Sequence, residues 1–230
     1  MDRKQKEIYE KVRKELFVEI MKDGKLEIEE FDFIAVRLLR LIQISSYPSI
    51  YDESYTDKPP KLLAMKKIIE SINEEEKVII WTNYVKTSEK LFHELKNKGA
   101  VLLNGTIDLD ERNISIERFK KDSSIKFLIA TYGTAKEGLT LTVANHAIFF
   151  ERNFSLSDYL QAQDRIHRIS QDKISYISIL SFSTFGFLAN TKADEEKIFT
   201  LSNNLENLAE KITYESKYIL GEGDILFFNF

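Results

Sequence analysis

The sequence predicts an α/β protein: a parallel sheet flanked by helices, preceded by a helical extension and followed by one more helix. Three observations predict it. Short apolar runs such as Val78-Ile-Ile-Trp-Thr82 and Phe127-Leu-Ile-Ala130 alternate with stretches whose apolar residues recur every three to four positions. The runs are apolar on both faces, as strands covered by helices on two sides must be. The segments between them are long enough for helical crossovers, the connection that parallel strands require.

The elements follow in order. Residues 1–22 read as a helix, with Tyr9, Val12, Leu16 and Ile20 at helical spacing among charged residues, and Asp23-Gly24 as a turn. A second helix is predicted from about Glu29 to Ile44 on the stripe Phe31, Ile34, Leu38 and Leu41. Pro48 disfavours helical backbone at Tyr47 and ends it. The polar stretch through Tyr51-Asp-Glu-Ser-Tyr-Thr-Asp-Lys58 reads as a linker, closed by Pro59-Pro60. Leu62, Met65, Ile69 and Ile72 mark a short helix, Val78–Thr82 a buried strand, and Tyr84–Lys98 a helix with Gly99 as its C-cap. Ala100–Leu103 is a strand, Asp108–Lys121 a helix with Ile116 and Phe119 inward, and Phe127–Ala130 a strand. His146–Phe150 and the stretch from Ile174 to Phe182 are the last two strands. Between them, Gln161-Ala-Gln-Asp-Arg-Ile-His-Arg-Ile-Ser-Gln171 is placed on a helix, with Ser155 and Asp158 spaced as a capping box. At about 100° per residue, Tyr159, Ala162, Ile166 and Ile169 share one face, and Gln161, Arg165 and Arg168 another. A final helix runs from Lys192 to Lys211, before the apolar ending Ile225-Leu-Phe-Phe-Asn-Phe230.

Composition narrows the function classes. Charged residues make up 30% and hydrophobic residues 43%, typical of a soluble globular chain. Cysteine is absent, which excludes disulfides and thiolate metal sites. The three histidines, His93, His146 and His167, lack ligand-like spacing, so no metal site is expected. No apolar run approaches the roughly 18 residues of a membrane span, and MDRKQKEIYEKV is not a signal peptide. The expectation is an intracellular protein with no membrane partner: cytoplasmic and nucleoid-associated in a prokaryote, nuclear in a eukaryote. A net charge of -4 argues against a basic footprint over the whole surface but leaves room for a local basic groove.

The chemistry-bearing residues collect at predictable places. In parallel sheets, ligands bind beyond the carboxyl ends of the strands. The loops there are Asn83-Tyr84, Asn104-Gly105-Thr106, Thr131-Tyr132-Gly133-Thr134 and Glu151-Arg152-Asn153, and the arginine helix follows the last. Two guanidiniums about one turn apart beside a glutamine suit a triphosphate, since guanidinium forks onto phosphate oxygens and stays charged. Yet the sequence has no G-x-x-x-x-G-K-[ST] phosphate loop. Ala193-Asp194-Glu195-Glu196 does not end an apolar strand, so it reads as acid near a helix start and not as a magnesium box. The simplest resolution is that another domain supplies the rest of a nucleotide site.

The order of motifs resembles the C-terminal RecA-like lobe of Swi/Snf-type helicase-like ATPases of helicase superfamily two, from about Lys4 to Ala209. Lys4-Gln-Lys-Glu-Ile-Tyr-Glu10 resembles the segment between the two lobes of these proteins, and Arg37-Leu-Leu-Arg-Leu-Ile-Gln-Ile-Ser-Ser-Tyr-Pro48 a stretch in which Tyr47 stands for the usual histidine. Lys77-Val-Ile-Ile-Trp-Thr-Asn-Tyr84 looks like the lobe's first strand. Leu103-Asn-Gly-Thr106 matches the aspartate-glycine turn with Asn for Asp. Thr131 to Thr142 is similar to motif V, with Ala135-Lys136 for a glycine pair and Thr140 for asparagine. Gln161 to Gln171 resembles motif VI, with Ser170 for a common glycine.

The resemblance implies roles. Arg165 and Arg168 would reach ATP held with Mg2+ mainly by a first lobe, and Gln161 would help place the γ-phosphate or the attacking water. Gly138, Leu139 and Thr140 would lie near the nucleotide. Tyr84, Asn104, Gly105, Thr131, Tyr132 and Gly133 would line a nucleic-acid track. The implied partners are the first lobe, double-stranded DNA and a DNA-bound substrate protein; no metal is expected on this chain alone, and no ATPase activity without the first lobe. The organisation expected is 1–58 helical extension, 59–190 RecA-like lobe and 191–230 brace helix and tail. The implied function is ATP-driven translocation on double-stranded DNA and remodelling of protein–DNA complexes. The alternative is a non-catalytic DNA- or protein-binding module that keeps the fold.

Overall fold

The computed structural model describes residues 1–23, 36, 39–135, 140–151, 156–166 and 175–178. Within these, the chain forms two compact units, one containing Met1–Ala64 and the other Met65–Leu180.

In the first unit, α1 spans Arg3–Asp23 and a second helix, α2, covers residues 39–46. Tyr9 and Val12 pack with Leu41 and Ile44 as a buried cluster, on the apolar spacing seen in the sequence. The buried Gln5 amide donates to Ile44 O at 2.8 Å and Ser45 O at 3.1 Å, taking up carbonyls that the end of α2 would otherwise leave orphaned. Tyr47 is extended (φ -146°, ψ 85°), the conformation that Pro48 imposes, and Pro48–Ile50 form a 3-10 turn.

The stretch expected to be a linker is instead folded into this unit. Tyr55 is buried, its phenol donates to Asp2, and Lys4 pairs with Asp57 at 3.0 Å. Burial, and then the Asp2 carboxylate, push the Tyr55 phenol above its ordinary pKa. Polarity misled here because the apolar anchor is one aromatic ring among charged neighbours. The helix α3 follows at Pro60–Glu70.

The second unit is a five-stranded sheet in the order β2-β3-β1-β4-β5, with every pairing parallel. The strands are β1 (Val78–Thr82), β2 (Ala100–Leu103), β3 (Phe127–Thr131), β4 (His146–Phe149) and β5 (Ser175–Ser178). β1 and β3 are buried at every position, as expected for runs with no polar face. The helices are α4 (Val85–Leu95), α5 (Leu109–Lys121), the short α6 (Tyr132–Ala135) and α7 (Leu156–Asp164). After α4 comes a 3-10 turn, Lys96–Lys98, and then Gly99 at φ +76°. Asp108 caps α5, its carboxylate accepting from Glu111 N at 2.9 Å.

The connection from β1 leads toward the β2 edge and that from β4 toward the β5 edge. The topological switch point therefore lies between β1 and β4, and the crevice for a ligand opens at their carboxyl ends. The predicted helix beyond Lys192, the apolar C-terminal ending, most of the second helix before residue 39 and the proposed Ser155 cap lie outside the described residues.

Candidate functional site

Four loops meet at the carboxyl edge of the sheet, and their own side chains lock them together. After β1, Thr82 Oγ1 accepts from Tyr84 N at 3.2 Å and lies 3.1 Å from Tyr84 O, folding Asn83-Tyr84 into a tight entry to α4. Tyr84 is the N-cap position of α4 and gives no side-chain cap. After β2, the fully buried Asn104 closes its turn: Oδ1 accepts from Thr106 N at 3.0 Å and Thr106 Oγ1 at 2.7 Å, while Nδ2 donates to Ser88 Oγ at 3.0 Å. After β3, the chain turns directly into α6, and Thr134 Oγ1 lies 2.6 Å from Thr131 O and 3.3 Å from Leu103 O. After β4, Glu151 is 1% exposed and its carboxylate accepts from Asn83 N at 3.1 Å and Thr87 Oγ1 at 2.9 Å.

An aromatic row runs beneath this edge. Trp81 and Tyr132 stack at 6.0 Å, Tyr132 and Phe149 at 6.5 Å, and Phe149 meets Tyr159 of α7 at 4.5 Å. The Tyr132 hydroxyl donates to Glu151 O at 2.6 Å. The sequence puts Thr131-Tyr132-Gly133-Thr134 in a loop beyond a strand's carboxyl end. The structure corrects this: Thr131 belongs to β3, and Tyr132 and Thr134 are buried. A phenol ring of that size is better used filling the space between Trp81 and Phe149 than in water. Of the six residues expected along a nucleic-acid track, Asn104, Thr131 and Tyr132 have their side chains turned inside and Tyr84 is half-buried. Gly105 and Gly133 are exposed, with nothing within 4 Å of where a Cβ would stand. What this edge offers at those two positions is backbone.

The motif V and motif VI segments touch through their main chains. Leu141 N donates to Arg165 O at 2.9 Å. α7 ends at Asp164, and residues 165 and 166 form a turn, so the arginine helix is shorter than the continuous one expected. The Leu141 bond supplies a reason. It takes the carbonyl that a next helical turn would use, and Ile166 N tightens onto Gln163 O at 3.0 Å, the i−3 pattern of a helix end. Tyr159, Ala162 and Ile166 are buried, as their spacing predicted, and Gln161 and Arg165 are half-buried at the rim. Gln163, buried, donates to the Tyr159 hydroxyl at 3.1 Å. Arg168, Gly138 and Leu139 lie outside the described residues; Thr140 is half-buried beside the buried Leu141.

Residues 60–170 match the family model described as the helicase conserved C-terminal domain. The chain is 28% identical over 191 residues to YwqA of Bacillus subtilis, covering 78% of this chain and 20% of that protein. It is 29% identical over 161 residues to the ATP-dependent helicase FUN30 of Saccharomyces cerevisiae, covering 68% of this chain and 14% of that protein. Its fold superposes on the Sulfolobus solfataricus SWI2/SNF2 ATPase core in complex with dsDNA with a TM-score of 0.65 at 27% identity, covering 78% of this chain and 39% of that one. The chain is similar to the C-terminal lobe of Swi2/Snf2-type ATPases. This lobe has the RecA-like fold, and the chain spans about a fifth of YwqA and less of FUN30.

Sequence reasoning missed Glu151 as the tie between loops of this lobe. Its signal was present: an acid placed directly after the apolar run Ala147–Phe150, where the strand ends at the switch point. Among the described residues, no group of three His, Cys, Asp or Glu is arranged to hold a metal ion, and no helix is long and apolar enough to cross a membrane.

Proposed function

We propose that this lobe is the second half of a DNA-dependent ATP motor, hydrolysing ATP in a cleft shared with a first lobe and moving along double-stranded DNA. The observation that carries the proposal is the convergence of the motif V and motif VI segments, bonded through Leu141 and Arg165, beside the carboxyl edge of β1 and β4. The dsDNA complex of the Sulfolobus ATPase core supports the choice of nucleic acid.

The residues here fit a supporting share of an ATP site. Arg165 and Arg168 would supply charge to the γ-phosphoryl group as it leaves, and Gln161 would orient the group or the water that attacks it. Gly138, Leu139 and Thr140 would lie against the nucleotide. The lobe has no phosphate loop of its own, so Mg2+ and most of the triphosphate would belong to the partner lobe. DNA would pass the exposed backbone at Gly105 and Gly133, with Tyr84, Asn104, Thr131 and Tyr132 shaping those loops. Backbone contact of that kind reads no sequence, which suits a translocase. Coupling to a DNA-bound protein would make the motor a remodeller.

The test is ATP hydrolysis by the two-lobed protein with and without duplex DNA. The motor function requires strong stimulation by DNA and none of comparable size in the isolated lobe. DNA binding with no hydrolysis in the two-lobed protein would make the lobe a binding module instead.

A further inference from the structure

Glu151 occupies a place that a purely local helix cap would not need. α4 begins after Tyr84, which offers its N-terminus no side-chain acceptor. The Glu151 carboxylate, just beyond β4, fastens both sides of that entry instead: it takes the Asn83 N–H ahead of the helix at 3.1 Å and the Thr87 hydroxyl in its first turn at 2.9 Å, across 68 and 64 residues of sequence. Its negative charge suits the positive end of the helix. Glu151 and Thr87 are both buried, so the carboxylate is costly to keep there unless these donors are in place. The same residue's carbonyl accepts from Tyr132 OH at 2.6 Å. One residue therefore ties together the loops after β1, β3 and β4. Phe149, at the end of β4, packs on Tyr159 of α7 at 4.5 Å.

We propose that Glu151 is a positioning residue that keeps the loop after β1 in register with α7, and so sets how strongly duplex DNA at that edge accelerates hydrolysis. This rests on the motor function proposed above. The carboxylate acts through Asn83 and Thr87 on one side and, by way of Tyr132 and its stack on Phe149, on Tyr159 of α7 on the other. A residue with this role governs the DNA-stimulated rate and leaves the DNA-independent rate in place, whereas a merely structural residue lowers both together.

The experiment measures ATP hydrolysis by the two-lobed protein across a duplex DNA titration, for wild type, Glu151→Ala, Glu151→Gln and Thr87→Val. Loss of a charge-assisted hydrogen bond predicts about a tenfold drop in the DNA-stimulated rate for Glu151→Ala, with the rate in the absence of DNA held within about twofold. Thr87→Val removes one of the two contacts and should fall between. Glu151→Gln keeps both, its amide oxygen accepting from Asn83 N and its NH2 donating to Thr87 Oγ1, and should restore most of the stimulation. Equal loss of both rates in Glu151→Ala, or undiminished stimulation, overturns the positioning role while leaving the motor function intact. If Glu151→Ala does not fold, Thr87→Val decides between the same two outcomes. Absence of DNA-stimulated hydrolysis in wild type overturns both, and is read before any variant is compared.

Discussion

Single residues carry much of the geometry at the ends of the elements, and two of them give direct tests. Gly99 sits at φ +76°, and a Cβ there would stand 1.9 Å from Ser124 O. Its carbonyl accepts from Lys126 N at 2.8 Å and Phe127 N at 2.9 Å, so it cannot move without disturbing the start of β3. Gly99→Ala should destabilise the lobe by about 2 kcal/mol or more, from the left-handed backbone and the clash together. A shift of the urea midpoint, followed through the fluorescence of the lone tryptophan, Trp81, measures it; an unchanged midpoint would contradict the geometry. Glu76 tests electrostatics. His146 Nε2 lies 2.8 Å from its carboxylate and, by that hydrogen bond first, holds the carboxyl below its ordinary pKa. A carboxylate whose folded pKa is lowered stabilises the fold above its unfolded value and loses that contribution as pH falls through the lowered one. The stability difference between wild type and Glu76→Gln should therefore shrink below about pH 5 and vanish in stronger acid. A difference that grew as pH fell would contradict a lowered Glu76 pKa.

At the scale of elements, caps and strand ends decide where each piece stops. Asp108 accepts from Glu111 N at 2.9 Å, and Asp108→Ala should cost about 0.5–2 kcal/mol, with Asp108→Asn nearly neutral; thermal unfolding distinguishes them. The regular elements were legible because their periods are local. Val78–Thr82 and Phe127–Thr131 are apolar throughout and became the fully buried central strands, and Gly99 ended the helix before β2 as glycine after a helical stripe should. What the periodicity could not show was long-range. Nothing near Arg165 in sequence says that Leu141 N will take its carbonyl, so the helix was extended too far. Nothing around Tyr132 says that its ring will lie between Trp81 and Phe149. Nothing around Tyr55 says that Asp2 will receive its phenol. In each case a polar or mixed local pattern was overruled by a partner from another element.

At the scale of the whole molecule, the lobe presents the carboxyl edge of one parallel sheet, its loops tied by buried polar side chains. The switch point between β1 and β4 fixes where a ligand crevice opens, and the buried polar contacts of Asn104, Thr134 and Glu151 hold the surrounding loops. Such an edge suits the proposed motor, in which this wall would close against a second one. The family was legible from motif order, because motif residues keep their spacing even when the side chains between them change. The fate of the individual track residues was not, since burial depends on neighbours that the motif does not contain. The measurement that bears most directly on the motor function compares DNA-stimulated ATP hydrolysis by the two-lobed protein in wild type, Arg165→Ala and Arg168→Ala, with duplex DNA affinity measured alongside. The motor function predicts a loss of about 10³-fold or more in rate for at least one arginine variant at unchanged DNA affinity. Rates within twofold of wild type in both variants would contradict it, and would leave the arginines as a solvated helix end on a binding module.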